Sequence, residues 1–127
     1  MLVKNFEELD LFKLGREFVK DIYCCTSKGN FCKDYGLKDQ LQRASVSVIL
    51  NVAEGFDSGS SRSMIVFLRY AFRSASEAKA ILYVALDLNY ISPDTYKTLK
   101  EKTIRLQQMT SRFIKYLEKR SVSKTRK

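Results

Sequence analysis

The 127-residue sequence contains no histidine, one proline and five glycines. Each shortage excludes something. Without histidine the commonest general base is absent. The carboxylate metal sites of helical bundles are also excluded, because they need Glu-x-x-His pairs. So little glycine and proline leaves a turn-rich β architecture without its punctuation and favours long uninterrupted helices. The three cysteines are Cys24, Cys25 and Cys32. An adjacent pair followed by a lone third is not a zinc spacing. On a helix Cys24 and Cys25 point in different directions, so at most one reaches the core. An odd count in a chain without a signal region indicates reduced thiols and a cytoplasmic setting. Lys4, Asn5, Glu7, Glu8 and Asp10 interrupt the opening residues, so no apolar signal region forms there. No apolar stretch approaches the length of a membrane span. The loop around Gly59 lacks the Gly-Lys-Ser/Thr of a phosphate loop. The expectation is a protein that is not an enzyme and that holds no metal and no cofactor.

What is present is an ordinary globular balance, 45% hydrophobic and 29% charged, at a length that suits one domain. Such a chain buries roughly two-thirds of its unfolded surface and folds without a metal or disulfide. Lysine and arginine number 23 against 14 acids, for a net charge of +9. From Lys115 onward six basic residues face only Glu118. The excess fits an anionic partner, and it fits equally a soluble surface with a ragged basic end.

Hydrophobic periodicity predicts four helices, over about residues 7–26, 37–56, 62–89 and 93–120. In the first, Leu11, Phe18, Ile22 and Cys25 recur at helical spacing; Gly15 within it either breaks the pattern or, as is commoner in a bundle, lets another backbone approach closely. The second carries two apolar rows, through Leu41, Ala44, Val48 and Val52 and through Val46, Ile49, Leu50 and Ala53. Its β-branched content hints at a strand, but the segment is too long and reads better at a period near 3.6. Ser60 or Ser61 is the expected N-cap of the third helix. The fourth opens on Ser92, Pro93 and Asp94, which are an N-cap, a first-turn proline and an acid at the positive end of the dipole. Its row of Leu99, Thr103, Leu106, Thr110, Phe113 and Leu117 alternates spacings of four and three, the seam of a bundle. Residues 121–127 show no apolar period and are expected to be a disordered basic tail. Short connections then give an all-α, antiparallel up-down-up-down four-helix bundle spanning residues 1–120.

The string Tyr35-Gly36-Leu37, then Gln40-Leu41-Gln42-Arg43-Ala44-Ser45-Val46-Ser47-Val48 and Asn51-Val52-Ala53-Glu54-Gly55-Phe56, resembles the bacterial four helix bundle protein family. That family is known from intervening sequences of large-subunit ribosomal RNA genes. The opening Phe6-Glu7-Glu8-Leu9-Asp10-Leu11-Phe12 and the third helix's Phe67-Leu68, Ala71, Ser74 and Glu77 are similar to it too. The resemblance covers about residues 6–117. It implies an antiparallel four-helix fold and a ring-like homopentamer. A distant relative, the accessory variability protein of diversity-generating retroelements, binds nucleic acid and a reverse transcriptase through a basic surface. The sequence departs from the pattern at Ile49, where the family usually has proline, and at Ser58-Gly59, where many members carry two arginines. Arg73 stands at a position often glycine, and Ser63 where an acid would complete a capping box with Ser60.

Two constellations are candidate sites. Arg43, Ser47, Asn51 and Glu54 fall on one helical face within reach of Glu77. They form either a carboxylate acid/base site or a structural polar network that fixes register or joins subunits. Arg62, Arg69, Arg73 and Lys79 run along the third helix, opposite its apolar side, and join the terminal Lys119, Arg120, Lys124, Arg126 and Lys127 as candidate phosphate contacts. The alternative for these is a solvated charged face. Tyr70, Tyr83, Tyr90, Tyr96 and Tyr116 offer rings for base stacking; for Tyr83 and Tyr90 the favoured reading is a bundle edge or subunit contact with a wet hydroxyl. The expected partners are further copies of the chain, RNA or DNA, or another protein, and no membrane.

Overall fold

The computed structural model describes residues 3–125, with side chains to residue 120. A short 3-10 turn at Phe6–Glu8 leads into α1 (Asp10–Thr26). A second 3-10 turn at Phe31–Lys33 precedes α2 (Tyr35–Asp57), and α3 (Ser61–Asp87) and α4 (Pro93–Thr125) complete the chain. No strand occurs among the described residues, and Val46–Val52 lies inside α2. Cross-helix pairs fix the directions. Thr26 meets Gln42, Ser47 meets Ser74, Lys79 meets Gln107, Lys100 meets Tyr83, and Lys102 meets Asp21. With Gly15 against Ile49 and Gly55 against Met64 as second contacts, the residue number rises on one helix as it falls on the next in each successive pair, so α1 to α4 alternate up and down. Contacts of α1 with both α2 and α4 close the bundle.

The core is the apolar stripe of each helix. Phe18, Ile22, Leu41, Val52, Leu68, Leu82 and Leu106 are wholly buried, each contributing about 1.5–3 kcal/mol relative to exposure. Small residues set the close approaches. A Cβ on Gly15 would collide with the Ile49 side chain, and one on Gly55 would meet Met64 Sδ and Phe67 Cβ, both at 2.9 Å. Gly15 therefore lets α1 settle onto α2, with Ile49 filling the space above it.

Helix ends differ from the sequence reading where local hydrogen bonds intervene. The first helix starts at Asp10, not Glu7, because the Glu8 carboxylate accepts from the N–H groups of Lys4 and Asn5 (3.0 and 2.9 Å). That closes a separate turn, and Leu9 then adopts extended backbone and plugs the core. The second helix starts two residues early, capped by Asp34, whose Oδ1 accepts from Leu37 N–H at 3.1 Å. Its Oδ2 accepts from the Tyr90 hydroxyl at 2.9 Å. One carboxylate thus ties the start of α2 to the α3–α4 connection. It also raises the Tyr90 hydroxyl above its ordinary pKa, since a neighbouring carboxylate opposes a phenolate. Tyr90 further stacks on Phe31 with centroids 5.1 Å apart, so its hydroxyl is spent on the fold and is not a wet edge.

The third helix is capped by Ser60, which accepts from Ser63 N–H at 3.1 Å. It ends on Asn89 at φ 60°, with Tyr90 N–H reaching Ala85 O and Asn89 N–H reaching Leu86 O. This is the left-handed cap that asparagine tolerates. Ser92 caps α4 through Thr95 N–H at 3.1 Å. The expected end near 120 is not seen: α4 continues to Thr125. Ser121 to Thr125 contains no glycine or proline, so nothing in the chain stops the helix there. The remainder of the expected tail, Arg126 and Lys127, lies outside the described residues. No helix among the described residues is long and apolar enough to cross a membrane.

Candidate nucleic-acid interface

Charge divides the bundle. Residues 1–60, which build α1 and α2, hold eight basic and nine acidic side chains; residues 61–127 hold fifteen and five. The whole excess therefore belongs to two adjacent helices. On α3 the spacings of seven and four bring Arg62, Arg69 and Arg73 onto one outward stripe, all exposed. They are not equally available. Arg69 Nη2 lies 3.3 Å from Glu118 Oε2 on α4, and the Arg73 guanidinium sits 5.7 Å from the Tyr70 ring centroid. A surface pair of this kind is worth well under about 1 kcal/mol and yields readily to a phosphate.

Lys79 does not share that stripe. It turns into the seam between α3 and α4, where its Nζ donates to Gln107 Oε1 at 3.2 Å. Gln107 is buried and donates its own amide to Ser76 Oγ at 2.6 Å and to Phe72 O at 3.3 Å. A neutral amide thus orients the lysine without cancelling its charge. Around it Phe72, Ile104, Gln107, Gln108, Ser111, Arg112 and Lys115 line an open groove of about 370 Å³ with Lys79. Among the described residues no carboxylate lines this groove. Sequence reasoning missed Arg112 as a site residue and counted Lys115 only as charge. Their spacing of three on α4 was visible, but which helix they would face was not. Lys119 and Arg120 are exposed on α4 with described side chains, whereas the side chains of Lys124, Arg126 and Lys127 lie outside the described residues.

At the other end of the same seam stands Tyr83, 45% exposed. Lys100 Nζ donates to its hydroxyl at 2.8 Å, and the Tyr96 ring backs it with centroids 5.1 Å apart. The Lys100 ammonium pulls the Tyr83 hydroxyl below its ordinary pKa of 10. The Tyr96 hydroxyl is buried with no hydrogen-bond partner among the described residues.

The polar network forms only at its middle. Ser47 Oγ and Ser74 Oγ are 2.9 Å apart, and Asn51 Nδ2 donates to Ser47 O and Oγ at 2.8 and 3.0 Å. Arg43 instead pairs with Asp39 on the open surface, and Glu54 and Glu77 are both exposed. Around a 3.6-residue helix an i,i+4 step turns about 40° and an i,i+3 step about 60° the other way, so Arg43 and Glu54 both lie farther from the core side of α2 than Asn51 does. Without the two carboxylates brought together in a dry site, the acid/base arrangement is not assembled. What remains is a small hydrogen-bonded clasp between α2 and α3.

A hollow of about 600 Å³ lies between the end of α1 and the start of α4, lined by Asp21, Cys24, Cys25, Lys28, Asp94 and Lys102 among others. Asp21 and Lys102 pair with each other across it. Burial, with Cys24 and Asp21 nearby, raises the Cys25 thiol to about 11. That keeps it protonated and unreactive at neutral pH. Among the described residues no three His, Cys, Asp or Glu side chains converge on a common point.

A solved structure from the S23 ribosomal protein family of Bacteroides thetaiotaomicron, a protein of unknown function, is similar in fold. Its TM-score is 0.76 at 20% sequence identity, over 83% of this chain and 95% of that one. No curated protein matches the chain. The model of the 23S rRNA-intervening sequence protein family matches residues 7–112, nearly all of the four helices, and the chain belongs to that family.

Proposed function

We propose that the chain is a non-enzymatic, homo-oligomeric helical bundle that binds RNA or DNA with low sequence selectivity, as an accessory or assembly module. The carrying observation is the carboxylate-free groove between α3 and α4, where Lys79, Arg112 and Lys115 converge beside the Arg62, Arg69 and Arg73 stripe. Cations placed along a helix pair suit a phosphate backbone, and no helix-turn-helix or similar reading element accompanies them. Self-association is supported by exposed apolar side chains. Leu50 on α2, Val66 and Val84 on α3 and Leu88 just after it, all large and apolar, are 43–54% exposed. Further copies of the chain would cover them, and a ring, as in the homopentamers of the family, would repeat the groove and multiply its contacts.

A gel-mobility titration at low and moderate salt tests the binding. The expected result is an affinity that falls steeply with salt, and no complex at low salt would defeat the proposal. Light scattering measures the assembly, with a particle several times the mass of one chain expected. The same exposed leucines and valines also fit a scaffold that holds another protein without nucleic acid. Capture of a partner that survives nuclease treatment, together with failure of the gel titration, would favour that reading.

A further inference from the structure

We propose that the α3–α4 groove is selective for single-stranded nucleic acid, with Tyr83 as the platform on which an unpaired base stacks. This rests on the nucleic-acid reading above and goes beyond it by naming the form of the ligand and the residue that selects it. The groove is a track with two kinds of ground. Lys79, Arg112 and Lys115 offer charge with no acid between them, so a phosphodiester chain can follow them. From Arg69 to Tyr83 the seam runs roughly 21 Å along α3, enough for a short run of nucleotides. Tyr83 stands one helical turn beyond Lys79 on the same side of α3, so a strand lying on the lysine brings a base to the ring.

The ring is held ready for it. Lys100 Nζ is 2.8 Å from the hydroxyl but 5.1 Å from the ring centroid. Nearly the full reach of the ring axis separates the ammonium from the centroid, so it sits at the hydroxyl edge and leaves the faces clear of itself. The Tyr96 ring, tilted 59° to Tyr83, buttresses from within. A ring fixed at its edge and its back loses little freedom when a base lands on it. Bases inside a duplex already stack on each other and have no face to give, whereas every unpaired base does. Charge alone would not separate the two forms, and the tyrosine does.

The test is fluorescence anisotropy with a labelled 12-nucleotide oligothymidylate, alone and annealed to its complement, at moderate salt. The single strand should bind about tenfold more tightly, as loss of one stacking partner commonly implies. Tyr83→Leu, which keeps bulk and removes the flat face, should lower single-strand affinity about tenfold and leave duplex affinity unchanged, while Tyr83→Phe should keep the preference. Equal affinity for the two forms, or a Tyr83→Leu variant that weakens both alike, overturns the inference and leaves the nucleic-acid reading standing. Binding of neither form at low salt overturns both.

Discussion

The first two helices and the last two are held together by different means. Where α1 meets α2 the partners are short or absent: Gly15 lies under Ile49, and Thr26 Oγ1 receives Gln42 Nε2 at 2.9 Å. Where α3 meets α4 the seam is spanned by long polar side chains, with Arg69 reaching Glu118, Lys79 reaching Gln107 and Lys100 reaching Tyr83. The first pair carries no net basic charge; the second carries all of it. A tight, small-residue seam buys stability and leaves nothing for a ligand to hold. A seam bridged by long side chains keeps a groove open and its cations movable. The difference gives the tight packing to one half of the molecule and, on the proposed function, the binding to the other.

The strongest way to break that comparison is to remove charge from each half separately. Replacing Lys79, Arg112 and Lys115 together with alanine should cut nucleic-acid affinity at least tenfold. It should also flatten the slope of log affinity against log salt by about 2, since each lost phosphate contact removes about 0.7 for a single strand. Replacing Lys13, Arg16 and Lys20 on α1, all exposed, removes the same formal charge. It should change affinity less than threefold and leave the slope alone. Equal losses from the two triple variants would mean that net charge, not the groove, is what binds.

Stability should respond in the opposite half. Gly15→Ala forces a methyl group into the Ile49 side chain and should cost about 1–3 kcal/mol, the usual penalty for overpacking. Nucleic-acid affinity should not change. Adding Ile49→Ala should recover part of the loss, because the two changes share one contact and are not additive. Urea unfolding of the single and double variants measures this, and strictly additive losses would show that the two residues do not share a contact.

The four-helix plan was legible because it depends on periodicity and end signals that lie within one helix at a time. The apolar rows, the Ser60 and Ser92 caps and the scarcity of glycine and proline are all local. The candidate site was less legible because it depends on how helices rotate against each other. Lys79 reads as one member of an arginine stripe until α4 is placed beside it. Arg112 gains meaning only from facing Lys79 across the seam. Glu54 and Glu77 read as a pair because their helices are neighbours, yet both point outward. Asp34 was missed for another reason: its cap is local, but Tyr35 and Gly36 after it look like loop, and its second partner, Tyr90, is 56 residues away.

Asp34 supplies a smaller test of the same division, because it fastens the start of α2 to the far loop of the α3–α4 pair. Asp34→Ala removes the cap on Leu37 N–H and the acceptor for the Tyr90 hydroxyl. It should cost roughly 1–2 kcal/mol, most of it from the cap. Tyr90→Phe removes only the second bond and should cost less, with Phe31 stacking retained. Thermal unfolding of both variants decides the ranking, and a larger loss from Tyr90→Phe would move the weight of this carboxylate from the helix end to the loop.

The smallest effect concerns the adjacent thiols, which one helical step separates into different surroundings. Cys24 is exposed, while Cys25 is half-buried and donates its thiol hydrogen to Ile22 O at 3.4 Å. The buried thiol binds its proton up to about pH 11, so its thiolate fraction at pH 8 is negligible. Iodoacetamide at pH 8 should therefore label Cys24 first and Cys25 only on unfolding, read by peptide mass spectrometry. The linkage has a definite sign. The unfolded thiol ionises near its ordinary value, about 8.5, while the native one still holds its proton. The unfolded state then binds fewer protons, so stability falls as pH rises through 9 and 10. Cys25→Ser keeps a small side chain that does not ionise in this range and should remove that alkaline loss, whereas Cys24→Ser should not. If Cys25 were labelled as fast as Cys24 in the native protein, the end of α1 would have to open toward the hollow beside Lys102, and the quiet half of the bundle would be less tightly closed than its glycine seam implies.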